Sequence, residues 1–76
     1  MKKYFEKKDL ATNTNKFWEI AIKDKKIVIV RFGRIGNKAQ EKVFDKKKGI
    51  KNEAEARKFY EKKITEKIRK GYEEIN

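Results

Sequence analysis

The stretch from Asn15 to Gly36, NKFWEIAIKDKKIVIVRFGRIG, decides the fold. In Asn15 to Lys23, Trp18, Ile20 and Ile22 fall on one face of an extended chain while Phe17, Glu19 and Ala21 fall on the other, the period-2 pattern of a strand. Asp24-Lys25-Lys26 is a polar link, and Ile27-Val28-Ile29-Val30 resumes a β-branched run suited to pairing back as a hairpin. These two strands form the expected sheet centre. Two glycines three residues apart in Arg31-Phe32-Gly33-Arg34-Ile35-Gly36 predict that the second strand bends or ends there.

Upstream, Lys2 to Asp9 carries adjacent aromatics, Tyr4 and Phe5, and fits an edge strand, while Ala11-Thr12-Asn13-Thr14-Asn15 favours a loop. Downstream, the polar turn Asn37-Lys38-Ala39 leads to a short strand from Gln40 to Phe44 and then to a basic loop, Asp45-Lys46-Lys47-Lys48-Gly49. The last third changes period. Asn52 with Glu55 has the spacing of an N-terminal cap, and Ala56, Tyr60, Ile64 and Ile68 recur every fourth residue, with Phe59 widening the stripe. This predicts a helix of roughly five turns, ended by Gly71 in a left-handed conformation, with Arg69 and Lys70 facing the negative end of its dipole. The fold class expected is α+β: a twisted antiparallel sheet of four or five strands with one C-terminal helix packed on it, residues 1–76 forming one domain.

Composition narrows function. Twenty-three Lys and Arg against twelve Asp and Glu give 76 residues a net charge of +11, which makes a polyanion the first partner to consider. A chain of this length buries roughly 60% of its unfolded surface and supports one modest core. Having neither Cys nor His, it lacks thiolate and imidazole for nucleophilic, redox or soft-metal chemistry, so no catalysis, cofactor or metal is expected. No apolar stretch approaches the ~20 residues of a membrane span, and the basic N-terminus leads into no signal-peptide apolar region. The sequence therefore reads as a cytoplasmic monomer without membrane association.

In Arg31-Phe32-Gly33-Arg34 two guanidinium groups flank an aromatic ring on a glycine-bent backbone. Arginine bonds phosphate oxygens bidentately, an exposed ring stacks on a base or sugar, and glycine lets a nucleic-acid backbone come close. The alternative is that Phe32 continues the core face of Val28 and Val30 while the arginines are merely solvated. On the helix, Lys63, Lys67 and Lys70 form a ridge suited to phosphates, or, since Glu61 and Glu66 alternate with them, an ordinary solvated face. Lys46-Lys47-Lys48 can touch phosphates without reading sequence. Glu73-Glu74 is expected at a frayed terminus, without chemistry.

Taken together, Asn15-Lys16-Phe17-Trp18-Glu19-Ile20, Val30 to Gly36, Gln40, Phe44, Lys67 and Lys70-Gly71-Tyr72 resemble the WGR domain family, and the match spans nearly the whole chain. The chain looks most like the bacterial branch that opens molybdate-regulator-type proteins; its version of the naming tripeptide is Phe32-Gly33-Arg34. WGR domains also occur in poly(ADP-ribose) polymerases that sense DNA breaks, where the aromatic packs on a terminal sugar, the Arg meets the backbone near the strand end, and a helix Lys meets phosphate. The resemblance puts those roles on Phe32, Arg34 and Lys67; apart from the resemblance, Arg31, Lys38 and Lys63 are expected to widen the patch. The expected function is non-catalytic binding of DNA, at ends or nicks, or of another nucleic acid, with association to the nucleoid. The competing expectation is a protein-interaction module that docks an acidic partner or a neighbouring domain.

Overall fold

A computed structural model describes residues 1–75. Five strands, β1 (Lys2–Asp9), β2 (Thr14–Lys23), β3 (Ile27–Arg34), β4 (Gln40–Phe44) and β5 (Glu73–Glu74), form one antiparallel sheet in the order β4-β3-β2-β1-β5. A single 3-10 turn, Lys46–Lys48, precedes the helix α1 (Glu53–Arg69), which lies across β2 and β3. The α+β expectation is met, with the helix on one face of the sheet.

The register explains the core. Trp18 stands opposite Phe5 of β1 and Phe32 of β3, and Ile20 stands opposite Val30, so the apolar alternation of each strand lines up across the sheet. Phe5, Trp18, Ile20, Val28 and Val30 meet Ile50 and the helix residues Ala56, Tyr60 and Ile64 in one buried cluster. Each fully buried side chain such as Phe5, Ile20 or Val28 contributes ~1.5–3 kcal/mol. The opposite face carries no helix and presents Tyr4, Glu6, Phe17, Glu19, Ile29, Arg31 and Val43.

Asn52 caps α1 through Oδ1, which accepts a hydrogen bond from the Glu55 amide at 2.9 Å. The helix closes as the sequence predicts: Gly71 sits at φ +96°, the Tyr72 amide donates to the Lys67 carbonyl at 3.0 Å, and the Gly71 amide donates to Ile68 at 3.0 Å. These two bonds form a Schellman closure, which folds Tyr72 back beside Lys67.

Three expectations are corrected. Ile68 does not extend the buried stripe; it is 56% exposed. A strict four-residue spacing drifts by about 40° per step around a 3.6-residue helix, so by the third step from Ala56 the side chain has left the sheet. Seven and eleven residues after Ala56, by contrast, return close to its direction, which puts Lys63 and Lys67 toward the sheet. Second, β1 is not an edge strand, because β5 pairs along its outer side; β3, by contrast, ends at Arg34 within the glycine stretch as expected, after Gly33 pairs with Phe17 and Arg34 with Lys16, and the chain turns at Gly36, whose φ is +89°. Third, Glu73 and Glu74 are not frayed, because the helix closure returns the chain along β1, where they pair with Glu6 and Phe5.

Candidate nucleic-acid interface

At the end of the β2–β3 ladder where Lys16 pairs with Arg34, the helix-side face of the sheet meets the last turns of α1. Residues of one parity on each strand point to this side: Lys16 and Trp18 from β2, Phe32 and Arg34 from β3, Lys42 from β4. Helix α1 adds Lys63, Lys67 and Lys70, and the segment after it adds Tyr72. These side chains enclose two adjoining grooves, of about 360 and 220 Å³, that share Trp18, Phe32 and Lys67. Six cations, Lys16, Arg34, Lys42, Lys63, Lys67 and Lys70, line them against one carboxylate, Glu66, which Lys63 approaches at 3.5 Å.

Lys67 sits where the grooves meet. Its Nζ lies 5.6 Å from the Trp18 ring centroid and 5.3 Å from that of Tyr72. Burial, first, and then the positive charges of Lys70 and Lys63 hold its pKa below the ordinary lysine value, with Glu66 acting in the opposite sense. An ammonium that is partly desolvated and crowded by like charge gains from any anion that approaches it. Arg34 is exposed, and its guanidinium is steadied by the β1–β2 loop: Nη1 donates to the Asn13 carbonyl at 3.3 Å and Nη2 to Asn13 Oδ1 at 3.4 Å. Asn13 holds a left-handed backbone at φ 53°, which asparagine tolerates well and which turns its carbonyl and side chain toward Arg34.

Phe32 resolves the two readings of its ring into one. It is half-buried, packs against the core cluster and still walls both grooves, and Lys42 Nζ stands 5.6 Å from its centroid. Gly33 lines the first groove with backbone. A side chain at Gly33 would point toward the Phe17 ring and the Lys38 carbonyl, each 3.5 Å from its Cβ, so the glycine does not clear space in the groove itself.

Of the residues singled out in the sequence, Phe32, Gly33, Arg34, Lys63 and Lys67 come together here. Arg31 does not: it projects from the other face of β3, 3.8 Å from Glu41. Lys38 is exposed in the loop beside Gly33 and lines neither groove. Lys46 and Lys47 border a separate cleft of about 630 Å³ at the other end of the ladder, walled by Ile27, Ile50 and lysine stems and flanked by Asp24 and Asp45. Sequence reading missed Lys16, Lys42, Tyr72 and Asn13. Strand parity and the Trp18–Phe32 pairing were the signal for the first two; for Tyr72 it was the Gly71 helix stop.

Among the described residues, no cluster of three or more Asp and Glu is placed to hold a metal ion, and no helix is long and apolar enough to cross a membrane. The family model of the WGR domain matches residues 1–76. No curated protein and no solved structure matches the chain.

Proposed function

The chain belongs to the WGR domain family, a family of non-catalytic nucleic-acid-binding modules, and on that premise we propose that it binds the DNA backbone at strand ends through Phe32, Arg34 and Lys67. The observation that carries the proposal is the convergence of these three side chains on one aromatic-floored groove pair, with six cations against a single carboxylate. Arg34 offers a fork for phosphate oxygens, steadied in advance by Asn13. Lys67 supplies an under-neutralised point charge, and the edge of Phe32 supplies an apolar surface for a terminal sugar. None of these groups needs a base edge, so sequence preference is slight.

The test compares Arg34→Ala on a linear duplex and on a closed circle of equal length, at one fixed salt concentration. Loss of a charge-assisted contact is worth ~1.5–3 kcal/mol, or roughly 10- to 150-fold, and is expected on the linear substrate. On the circle the loss should be several-fold smaller, while Lys47→Ala, remote from the groove pair, weakens both substrates alike. Equal losses for Arg34→Ala on both substrates refute end recognition and leave a charge-driven binder.

A further inference from the structure

The groove pair does not stop at Phe32. Beyond it, Phe44 of β4 and Phe59 of α1 meet with ring centroids 4.7 Å apart, and a further trough of about 300 Å³ opens on the far side of Phe59, bordered by Lys48, Lys58 and Lys62. Lysines are posted along the whole line: Lys42 near Phe32 at 5.6 Å, Lys48 near Phe44 at 5.0 Å and Lys63 near Phe59 at 5.4 Å. From Lys58 to the C-cap Lys70 the chain climbs twelve residue steps, or about 18 Å of helix axis at 1.5 Å per step. The troughs on this flank add only Glu55 and Glu66 as carboxylates.

We propose that this flank carries a single-stranded extension of the bound DNA end, its phosphates on the lysines and its bases toward the Phe44 and Phe59 rings. The inference rests on the end-binding reading above and extends it along the chain. A cationic groove with aromatic side chains spaced along its floor is the arrangement that holds single strands without reading sequence. A duplex laid on the same flank would rest on the lysine rims and leave the ring floor uncovered. An unpaired strand can turn its bases inward between the helix and the β4 edge.

The experiment measures fluorescence anisotropy on hairpin duplexes with one end, either blunt or bearing a tail of about ten thymidines in 3′ or 5′ polarity, across a salt series. A tail of at least one polarity is expected to tighten binding about tenfold. It should also steepen the log–log salt dependence by ~0.7 for each added phosphate contact. Lys48, Lys58 and Lys62 are all exposed, so their joint replacement by Ala leaves the fold intact. It should bring the ratio of tailed to blunt affinity close to one. A charge-matched control, Lys2, Lys8 and Lys23→Ala on the helix-free face, should keep the ratio.

A tail that gives no gain overturns the proposal, as does a gain that survives the Lys48, Lys58 and Lys62 replacement. Displacement of the tailed DNA by polyglutamate as effectively as by oligothymidine also overturns it, since that identifies an acidic polypeptide as the occupant. Failure of end recognition itself is read separately, from Arg34→Ala on linear and circular duplexes, and leaves the tail ratio to be judged on its own.

Discussion

Replacing Phe32 by Ala separates core packing from groove contact in a single side chain. A fully buried Phe→Ala truncation costs ~3–5 kcal/mol. Phe32 is half-buried, lies opposite Trp18 on the neighbouring strand and borders open groove, so water fills part of the space it vacates and the cost should fall to about half, ~1.5–2.5 kcal/mol. At ~0.05–0.15 kcal/mol per residue, 76 residues have ~4–11 kcal/mol of stability, so the variant stays folded at room temperature. With ~4–8 °C per kcal/mol for a domain of this size, the melting temperature should fall by roughly 6–20 °C. Affinity for a linear duplex, measured well below the new melting point, should drop by the ~1–3 kcal/mol of a lost aromatic contact. Phe32→Leu is the companion: it restores apolar volume without a flat ring, so melting recovers most of the way while affinity does not. Circular-dichroism melting and anisotropy titration on the same samples give both numbers. A melting shift under about 2 °C for Phe32→Ala refutes the packing argument, and full affinity in either variant refutes the role of the ring in the groove.

Asn13→Gly keeps the left-handed backbone of the β1–β2 loop but removes the Oδ1 that accepts from Arg34, so affinity for linear DNA should fall by about 2- to 5-fold with melting within ~2 °C of the parent; loss of more than 10 °C would mean that Asn13 serves the fold instead. Because burial and the neighbouring positive charges lower the pKa of Lys67 in the free protein from the ordinary lysine value, and a bound phosphate favours its charged form, binding takes up a proton between the free and bound values. Affinity should therefore hold at neutral pH and decline as pH rises through the free-state value, and Lys67→Arg, which does not titrate in that range, should push the decline upward; identical pH profiles for the two proteins refute this assignment. Ile68→Glu should change stability by no more than ~0.5 kcal/mol, since the side chain is 56% exposed, whereas a shift near 2 kcal/mol would return Ile68 to the buried stripe.

The strands and the helix were legible because each repeats a local physical constraint. Trp18, Ile20 and Ile22 cannot share a face unless the chain is extended, and Asn52, Ala56, Tyr60 and Ile64 cannot act together unless it is helical. What a four-residue spacing concealed was its own drift: the same arithmetic that carries Ile68 away from the sheet brings Lys63 and Lys67 toward it. β5 was not legible, because two consecutive glutamates have no strand signature and pair with β1 only after the Gly71 closure has aimed the chain there.

The site was legible as a motif but not as a surface. Arg31, Phe32, Gly33 and Arg34 are neighbours in sequence, yet strand parity sends Phe32 and Arg34 to the helix side and Arg31 to the other, where Glu41 meets it. Their true neighbours, Lys16 and Lys42, come from adjacent strands and depend on register. Net charge conceals the same separation. On the helix-free face Lys2 lies near Glu19, Lys8 near Glu6 and Arg31 near Glu41, so much of the positive charge there is locally offset. At the groove pair one glutamate faces six cations, and the Schellman closure holds Tyr72 beside Lys67, which is partly desolvated. The charge of a +11 chain is thus unevenly compensated, with six cations against one carboxylate along the grooves between β3 and the end of α1. On the proposed end-binding reading, a polyanion would be drawn to that end of the molecule before any specific contact forms, and Arg34, already held by Asn13, would meet it there.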